Sequence, residues 1–282
     1  MSARMLDGRP LAARITEGVR GRSAALRDRG VTPSAIVFVG RDDPAGAVYA
    51  HSIKRRGEPA GIDVEIVTLN PEDAAGSLDL VRARTGSDTV HGVLLQRPLP
   101  SSFDLRAFAE VIPLEKDVDA AHPYTLGLLT AARPRFVPAT ASAVLEMLAS
   151  AAVTLRGARA VVIGRSLVVG KPVALLLAAH DATVTLCHSQ TRDLKDVVRE
   201  AEVIVAALGR PRFVTPDMVS PETVVIDVGT NVSDSAIVGD VDPAVADVAS
   251  ALSPVPGGIG PVTTACFLRS VVSAAEMISG FA

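Results

Sequence analysis

The chain predicts an α/β protein of two domains, an amino-terminal layered αβ domain and a carboxy-terminal doubly wound parallel sheet, with the active-site cleft between them. Three observations carry this. Short Val/Ile-rich runs alternate with helical segments along nearly the whole length. The core has to be built almost without rings, because 48% of the 282 residues are hydrophobic but only 3% are aromatic and none is Trp. Aliphatic cores of that kind suit parallel strands covered by helices. Finally, the first strand of the second half runs into a turn bracketed by two glycines, Gly164 and Gly170.

Taken in order, Leu11, Ile15 and Val19 recur at helical spacing ahead of Ala24, Ala25 and Leu26, so an amphipathic helix ends at Gly30. Ser34 to Val39 reads as a strand stopped by GRDDPAG, and Ala47 to Arg56 as a helix. Asp63 to Leu69 is the next strand, Ala74 to Thr85 a helix, and His91 to Gln96 a buried strand ending at RPLP. Thr140 to Ala152 joins the halves. Four further strands follow, at Ala158 to Gly164, Ala182 to His188, Ala201 to Leu208 and Thr223 to Gly229, and Val262 to Ile278 forms a final helix. The expected division is 1–125 for the first domain, with 263–282 packing back on it, and 126–262 for the second.

A net charge of −3 gives no reason to expect a nucleic-acid surface. The amino terminus lacks an apolar signal core and no apolar run reaches membrane-spanning length, so a cytoplasmic protein with no membrane partner is expected. Cys187 and Cys266 are far apart and lack metal-type spacing, so neither a disulfide framework nor a metal site is expected.

Two glycine-rich segments carry the chemistry. In GRSLVVGKP, Gly164 to Pro172, backbone N–H groups at a helix start can face a phosphate. About 20 residues on, where an acid would bind the ribose of NAD, the chain reads His188-Ser189-Gln190-Thr191. With no acid there to repel a 2′-phosphate, and with Arg165 and Ser189 able to bind one, NADP is the expected cofactor of a Rossmann-like domain. In PVPGGIGPVT, Pro254 to Thr263, glycines permit close approach to the backbone while prolines stiffen the loop.

The segments GRDDPAGAVYAHSI, GVLLQRPLP, EKDVDAAHPYTLGLL, GRSLVVGKP, VIDVG, VGDVD and PVPGGIGPVT together resemble, in order, the methylenetetrahydrofolate dehydrogenase/cyclohydrolase family. The resemblance implies oxidation of methylenetetrahydrofolate to methenyltetrahydrofolate with NADP, followed in bifunctional members by hydrolysis of that cation, in a homodimer. It assigns Tyr49, Gln96 and Asp119 to catalysis, with Tyr49 stacking on the folate, Gln96 hydrogen-bonding the catalytic group and Asp119 gripping the pterin ring. Pro256, Gly257 and Gly258 would approach the substrate, and Gly164, Arg165, Ser166, Ser189 and Thr230 would hold the cofactor. Asp117 reads as a structural cap.

The chain departs from that pattern at one consequential position. Four residues after the tyrosine the family carries a lysine that handles protons in the cyclohydrolase step; here the position is Ile53, which carries no proton. Lys54 lies about 100 degrees round the helix and replaces it only if Gly57 and Pro59 kink the helix. Further departures put Ala120 and Ala121 where the family has Gly and an aromatic residue, Thr125 for an asparagine, and Pro138-Ala139-Thr140-Ala141 for Pro-Cys-Thr-Pro. The expectation is a dehydrogenase with weak or no cyclohydrolase activity; the alternative is a fully bifunctional enzyme using Lys54.

Overall fold

In the computed structural model, which describes residues 2–233 and 236–281, the chain opens with β1 (Arg4–Met5), α1 (Gly8–Arg27), β2 (Ser34–Gly40), α2 (Pro44–Gly57), β3 (Asp63–Leu69), α3 (Ala74–Thr85) and β4 (Gly92–Leu95). There follow α4 (Leu105–Glu110), α5 (Pro123–Thr130), α6 (Ala139–Ser150), β5 (Arg159–Ile163), α7 (Gly170–Ala179), β6 (Thr183–Cys187), α8 (Leu194–Arg199) and β7 (Val203–Ala206). The chain closes with β8 (Val224–Asp227), β9 (Asn231–Ser233), β10 (Ala236–Val238), β11 (Ala251–Leu252) and α9 (Ile259–Ile278). Among the described residues no helix is long and apolar enough to cross a membrane.

The chain divides into two compact units. One joins the chain up to Ala12 with Thr140–Thr263; the other joins Ala13–Ala139 with the chain from Thr264 onward. These limits differ from the 125/126 division read from the sequence. The first residues leave the amino-terminal domain because β1 pairs with β11, Arg4 beside Ala251 and Met5 beside Leu252. Residues 126–139 stay with that domain because α5 follows directly from its last turn.

The unit containing β2 has a three-stranded parallel sheet in the order β3-β2-β4. Every residue of β4 is buried, as are the last six of β2, which is why both read as unbroken apolar runs rather than alternating ones. Asp43 caps α2 by accepting the Gly46 N–H at 2.9 Å, and Pro44 supplies the preset φ of a first helical turn. In the carboxy-terminal part of α9, Val271 packs over Gly92, where an added Cβ would meet Val271 Cγ2 at 2.8 Å. Arg22 of α1 donates to Glu276 at 2.9 Å and to Ser273 at 2.8 Å, holding the same part of α9.

The other unit has a six-stranded parallel sheet, β1-β11-β8-β7-β5-β6. From β5 the chain steps outward to β6 and then returns to the other side of β5 as β7, so the winding reverses beside β5. Ligands bind at such switch points in doubly wound sheets, outside the carboxyl ends of the strands. Two buried carboxylates tie the loops at that edge. Asp240 accepts the N–H groups of Leu208, Gly209 and Arg210 at 2.6, 2.9 and 2.9 Å and the Asn231 side-chain amide at 2.8 Å. Asp227 accepts from Gly229, Asp240 and Val241 at 2.8, 3.0 and 3.0 Å. Replacing Asp240 by alanine leaves several buried donors unpaired. Since a hydrogen bond to a charged group contributes about 1.5–3 kcal/mol, Asp240→Ala is expected to lower stability by about 3 kcal/mol or more, read as a fall in the midpoint of the earlier unfolding transition in urea.

Candidate active site

Tyr49, Asp119 and Thr264 come together in the unit that carries β2. Tyr49 sits on the inner face of α2, part-buried, and its hydroxyl hydrogen-bonds with the Thr264 side chain. Desolvation, with the Asp119 charge second, pushes the Tyr49 phenol well above its ordinary range. Asp119 lies in the turn between α4 and α5. Its Oδ1 accepts the Ala139 N–H at 2.7 Å, a bond that fixes the carboxyl against the start of α6. Burial pushes Asp119 up to about 7; the Ala139 N–H opposes this, Asp117 adds to it, and the Arg97 charge opposes it.

The turn is held by its neighbour. Asp117 is fully buried and accepts the N–H groups of Ala121 at 2.8 Å and His122 at 3.0 Å, so it is the structural cap read from the sequence. Gln96 stands one residue past β4, part-buried, and its amide donates to the Arg97 carbonyl at 3.0 Å rather than to Tyr49 or Asp119. Its stem rests on Gly46, where a Cβ would meet Gln96 Cγ at 2.9 Å.

Ile53 is 0% exposed and shares a helix face with Tyr49, one turn away. Lys54 is exposed. α2 runs unbroken from Pro44 to Gly57, and the Glu58 N–H donates back to the Lys54 carbonyl, so the turn around Lys54 is helical and no kink re-aims it.

At the edge of the six-stranded sheet, Gly164 has φ of 126°, and a Cβ there would lie 2.0 Å from the Ala207 carbonyl oxygen. At Gly170 a Cβ would lie 1.9 Å from the Gly164 carbonyl oxygen. Only glycine fits either position, and the loop lies tight over the switch point with α7 starting beneath it. Such a cradle, with a helix amino terminus and the exposed Arg165 beside it, suits a pyrophosphate. Ser166 caps α7: its Oγ accepts from Val169 at 3.1 Å and Gly170 at 3.3 Å. Ser189 follows β6 and Thr230 follows β8, both exposed and both past the carboxyl ends of their strands. Among the described residues no three His, Cys, Asp or Glu side chains cluster as a metal site.

The loop before α9 owes its glycines first to the chain itself. Gly258 lies over Pro254, donating to its carbonyl at 2.7 Å, and the Gly258 carbonyl would be 1.9 Å from a Cβ on Gly8. Gly257 has φ of 107° and accepts the Gly8 N–H at 2.9 Å. Pro256 is exposed. Pro261 stands inside the first turn of α9, where its missing N–H costs nothing.

Residues missed by sequence reasoning are Thr264 and Arg97. Thr264 directly follows the last quoted motif, and Arg97 lies inside GVLLQRPLP, yet only the fold brings either toward Tyr49 and Asp119.

A doubly wound sheet with a glycine cradle at its switch point, joined in one chain to a second α/β unit holding a desolvated Tyr-Asp pair, defines a nucleotide-dependent enzyme. The model for the tetrahydrofolate dehydrogenase/cyclohydrolase catalytic domain matches residues 6–119, and that for the NAD(P)-binding domain of the same family matches 138–279. The chain belongs to this family. It is 49% identical over 275 residues to the bifunctional protein FolD of Parafrankia sp., covering 96% of this chain and 99% of that one. The crystal structure of the bifunctional FolD methylenetetrahydrofolate dehydrogenase/cyclohydrolase of Campylobacter jejuni is 36% identical, covers 98% of this chain and 99% of its own, and superposes with a TM-score of 0.93. The Trypanosoma brucei enzyme, complexed with NADP cofactor and inhibitor, is 34% identical with full coverage of both chains and a TM-score of 0.94.

The Asp119 value has a thermodynamic consequence. Its folded-state pKa lies above the ordinary 3.8, so the fold favours the neutral acid. That stabilisation is complete below about pH 4, is lost as pH rises through about 7, and leaves a net penalty at pH 8. Asp119→Asn keeps an oxygen for the Ala139 N–H and removes the charge. It is expected to raise the melting temperature above that of the unsubstituted protein at pH 8, with a difference that shrinks toward pH 5; calorimetry across that range checks it.

Proposed function

We propose that the chain oxidises methylenetetrahydrofolate to methenyltetrahydrofolate with NADP as hydride acceptor, and that it hydrolyses the methenyl product slowly or not at all. The unit holding Tyr49 and Asp119 takes the folate, and the unit holding Gly164 takes NADP. The observation that carries the second half is Ile53, a fully buried hydrocarbon on the Tyr49 face where the family places its proton-handling lysine. Bound NADP supplies the hydride acceptor; the residues of the chain bind, orient and exclude water. No protein base is needed for the hydride step, since the lone pair of the substrate nitrogen drives departure of the hydride, and positioning is the main contribution.

In this reading Tyr49 offers a ring face to the folate and stays a neutral hydrogen-bond donor at neutral pH, with burial pushing its phenol further from ionisation. Asp119 accepts from ring N–H groups when ionised. Gln96 orients the reacting centre, and Pro256, Gly257 and Gly258 border the substrate. Arg165 and Ser189 take the 2′-phosphate, while Gly164, Ser166 and Thr230 lie along the rest of the cofactor. The NADP-complexed Trypanosoma brucei relative supports the cofactor choice. Cys187 and Cys266 are buried and not joined in a disulfide, which suits a reducing cytoplasm, and the family resemblance supports a homodimer.

Hydrolysis needs a group that moves protons, and Ile53 denies it one. Ile53→Lys, checked for folding by circular dichroism, is expected to raise hydrolysis of methenyltetrahydrofolate by about 100-fold or more, the usual yield of general acid–base catalysis. Decay well above the buffer rate in the unsubstituted enzyme, or no gain in a folded Ile53→Lys, would sink this reading. Removal of one charge-assisted contact to a phosphate costs about 1.5–3 kcal/mol. Arg165→Ala should therefore raise KM for NADP by about 10- to 100-fold while leaving KM for NAD within about twofold, by initial-rate kinetics with each cofactor.

A further inference from the structure

Arg97 is a half-buried cation that the reading above does not use. It follows Gln96 at the end of β4, its guanidinium is part-buried, and its Nε–H is buried with no hydrogen-bond partner. The carboxyls of Asp119 and Asp117 lie close enough to act on it electrostatically, yet among the described residues neither forms an ion pair with it. A guanidinium drawn partly out of water, with a buried N–H left unpaired, is costly unless a ligand completes it. The other unpartnered buried polar atom among the described residues, Asp43 Oδ2, lies 2.1 Å from where a Cβ on Gly46 would stand; the same Cβ would meet Gln96. Unpaired groups thus flank Gln96 on both sides.

We propose that Arg97 is a substrate-binding residue that, together with Asp119, reads a donor–acceptor edge of the substrate heterocycle: the carboxylate accepts from ring N–H and amino groups, and the guanidinium donates to the neighbouring ring carbonyl oxygen. The inference rests on the folate reading and deepens it by naming the feature selected, a lactam-type edge. A carboxylate alone accepts any pair of N–H donors, whereas a guanidinium beside it adds a demand for an acceptor and repels an amino group in the carbonyl's place. Ile53 sharpens the case, because the face of α2 that carries Tyr49 presents hydrocarbon and leaves Arg97 as the positive charge felt by Asp119.

The groups acting on the pair are Asp117 from the same turn as Asp119, Tyr49 from α2, Cys266 from α9, which acts on Tyr49, and the Ala139 N–H at the start of α6. Removing the Arg97 charge leaves Asp117 unopposed, so the ionisation of Asp119 moves to higher pH.

The test compares binding of tetrahydrofolate with binding of its 4-amino-4-deoxy counterpart, by calorimetry, in the full-length enzyme and in Arg97→Met and Arg97→Lys. The unsubstituted enzyme is expected to prefer the 4-oxo compound by at least tenfold. Arg97→Met should narrow that preference at least tenfold, raise KM for methylenetetrahydrofolate by tenfold or more with KM for NADP unchanged, and shift the acid limb of kcat/KM to higher pH. Arg97→Lys, which keeps the charge without the planar fork, should hold the acid limb in place and restore part of the preference; it also covers the case in which Arg97→Met fails to fold. Retention of preference, KM and pH profile in a folded Arg97→Met, or loss of the preference in Arg97→Lys equal to that in Arg97→Met with no difference in acid limb, overturns the role of Arg97 while leaving the folate reading intact. No binding of either compound and no turnover of methylenetetrahydrofolate by the unsubstituted enzyme overturns both.

Discussion

The carboxylate of Asp117 governs the site in its unit. Buried between α4 and α5, it gathers the N–H groups of Ala121 and His122 and so folds the chain back on itself within five residues. That closure forces Ala120 to φ of 51°, in the left-handed region, which costs a non-glycine residue about 1–2 kcal/mol. Two hydrogen bonds to a charged acceptor contribute about 1.5–3 kcal/mol each, so the carboxylate wins. Glycine at 120 would relieve the strain, but it would also enlarge the entropy of the unfolded chain and remove a buried methyl, each worth about 0.5–1 kcal/mol. The opposing terms nearly cancel, which explains how alanine stands where the resemblance leads one to expect glycine. With the turn fixed, Asp119 has one direction left, toward Ala139, and the start of α6 is tied to it.

The same device holds the other unit. Asp227 and Asp240 collect backbone N–H groups at the carboxyl edge of the six-stranded sheet, so the motifs VIDVG and VGDVD act first as scaffolding for the loops beside the switch point. The cost appears in Asp227, which burial pushes up to about 6 in spite of three backbone donors. Glycines complete the arrangement where backbone meets backbone, at Gly164 against Ala207 and Gly8 against Gly258. A rigid edge of this kind lets exposed side chains such as Arg165, Ser189 and Thr230 meet a ligand without having to organise the loops that carry them.

Parallel strands buried on both faces leave a sequence signature, and β3 and α3 run over the residues their patterns indicate. The two-residue strands β1 and β11 leave none, because pairing rather than composition makes them strands; hence the amino-terminal residues were grouped with the first domain, while β1 pairs with β11. Tyr49, Asp119 and the glycine turn were legible because each sits in a local motif. Arg97 and Thr264 were not, since their importance comes from contacts across 22 and 215 residues of chain to Asp119 and Tyr49. The PVPGGIG loop shows the opposite failure. Its glycines read as an invitation to a ligand, and much of their necessity turns out to be the close passage of Gly8.

What Ile53 changes is the electrostatic balance as well as the supply of protons. Isoleucine at that position carries no charge and has no exposed surface, so it adds no cation to the face of α2 that bears Tyr49. Burial pushes Asp119 up to about 7, and Arg97 is the cation that opposes this. For hydride transfer this is tolerable, because the step moves no proton through the protein and benefits from a dry wall. Under the proposed function hydrolysis is the activity that suffers, because water must enter and a proton must leave. In that proposal the side chain at position 53 separates the two activities, since hydride transfer needs no proton-handling group there and hydrolysis does.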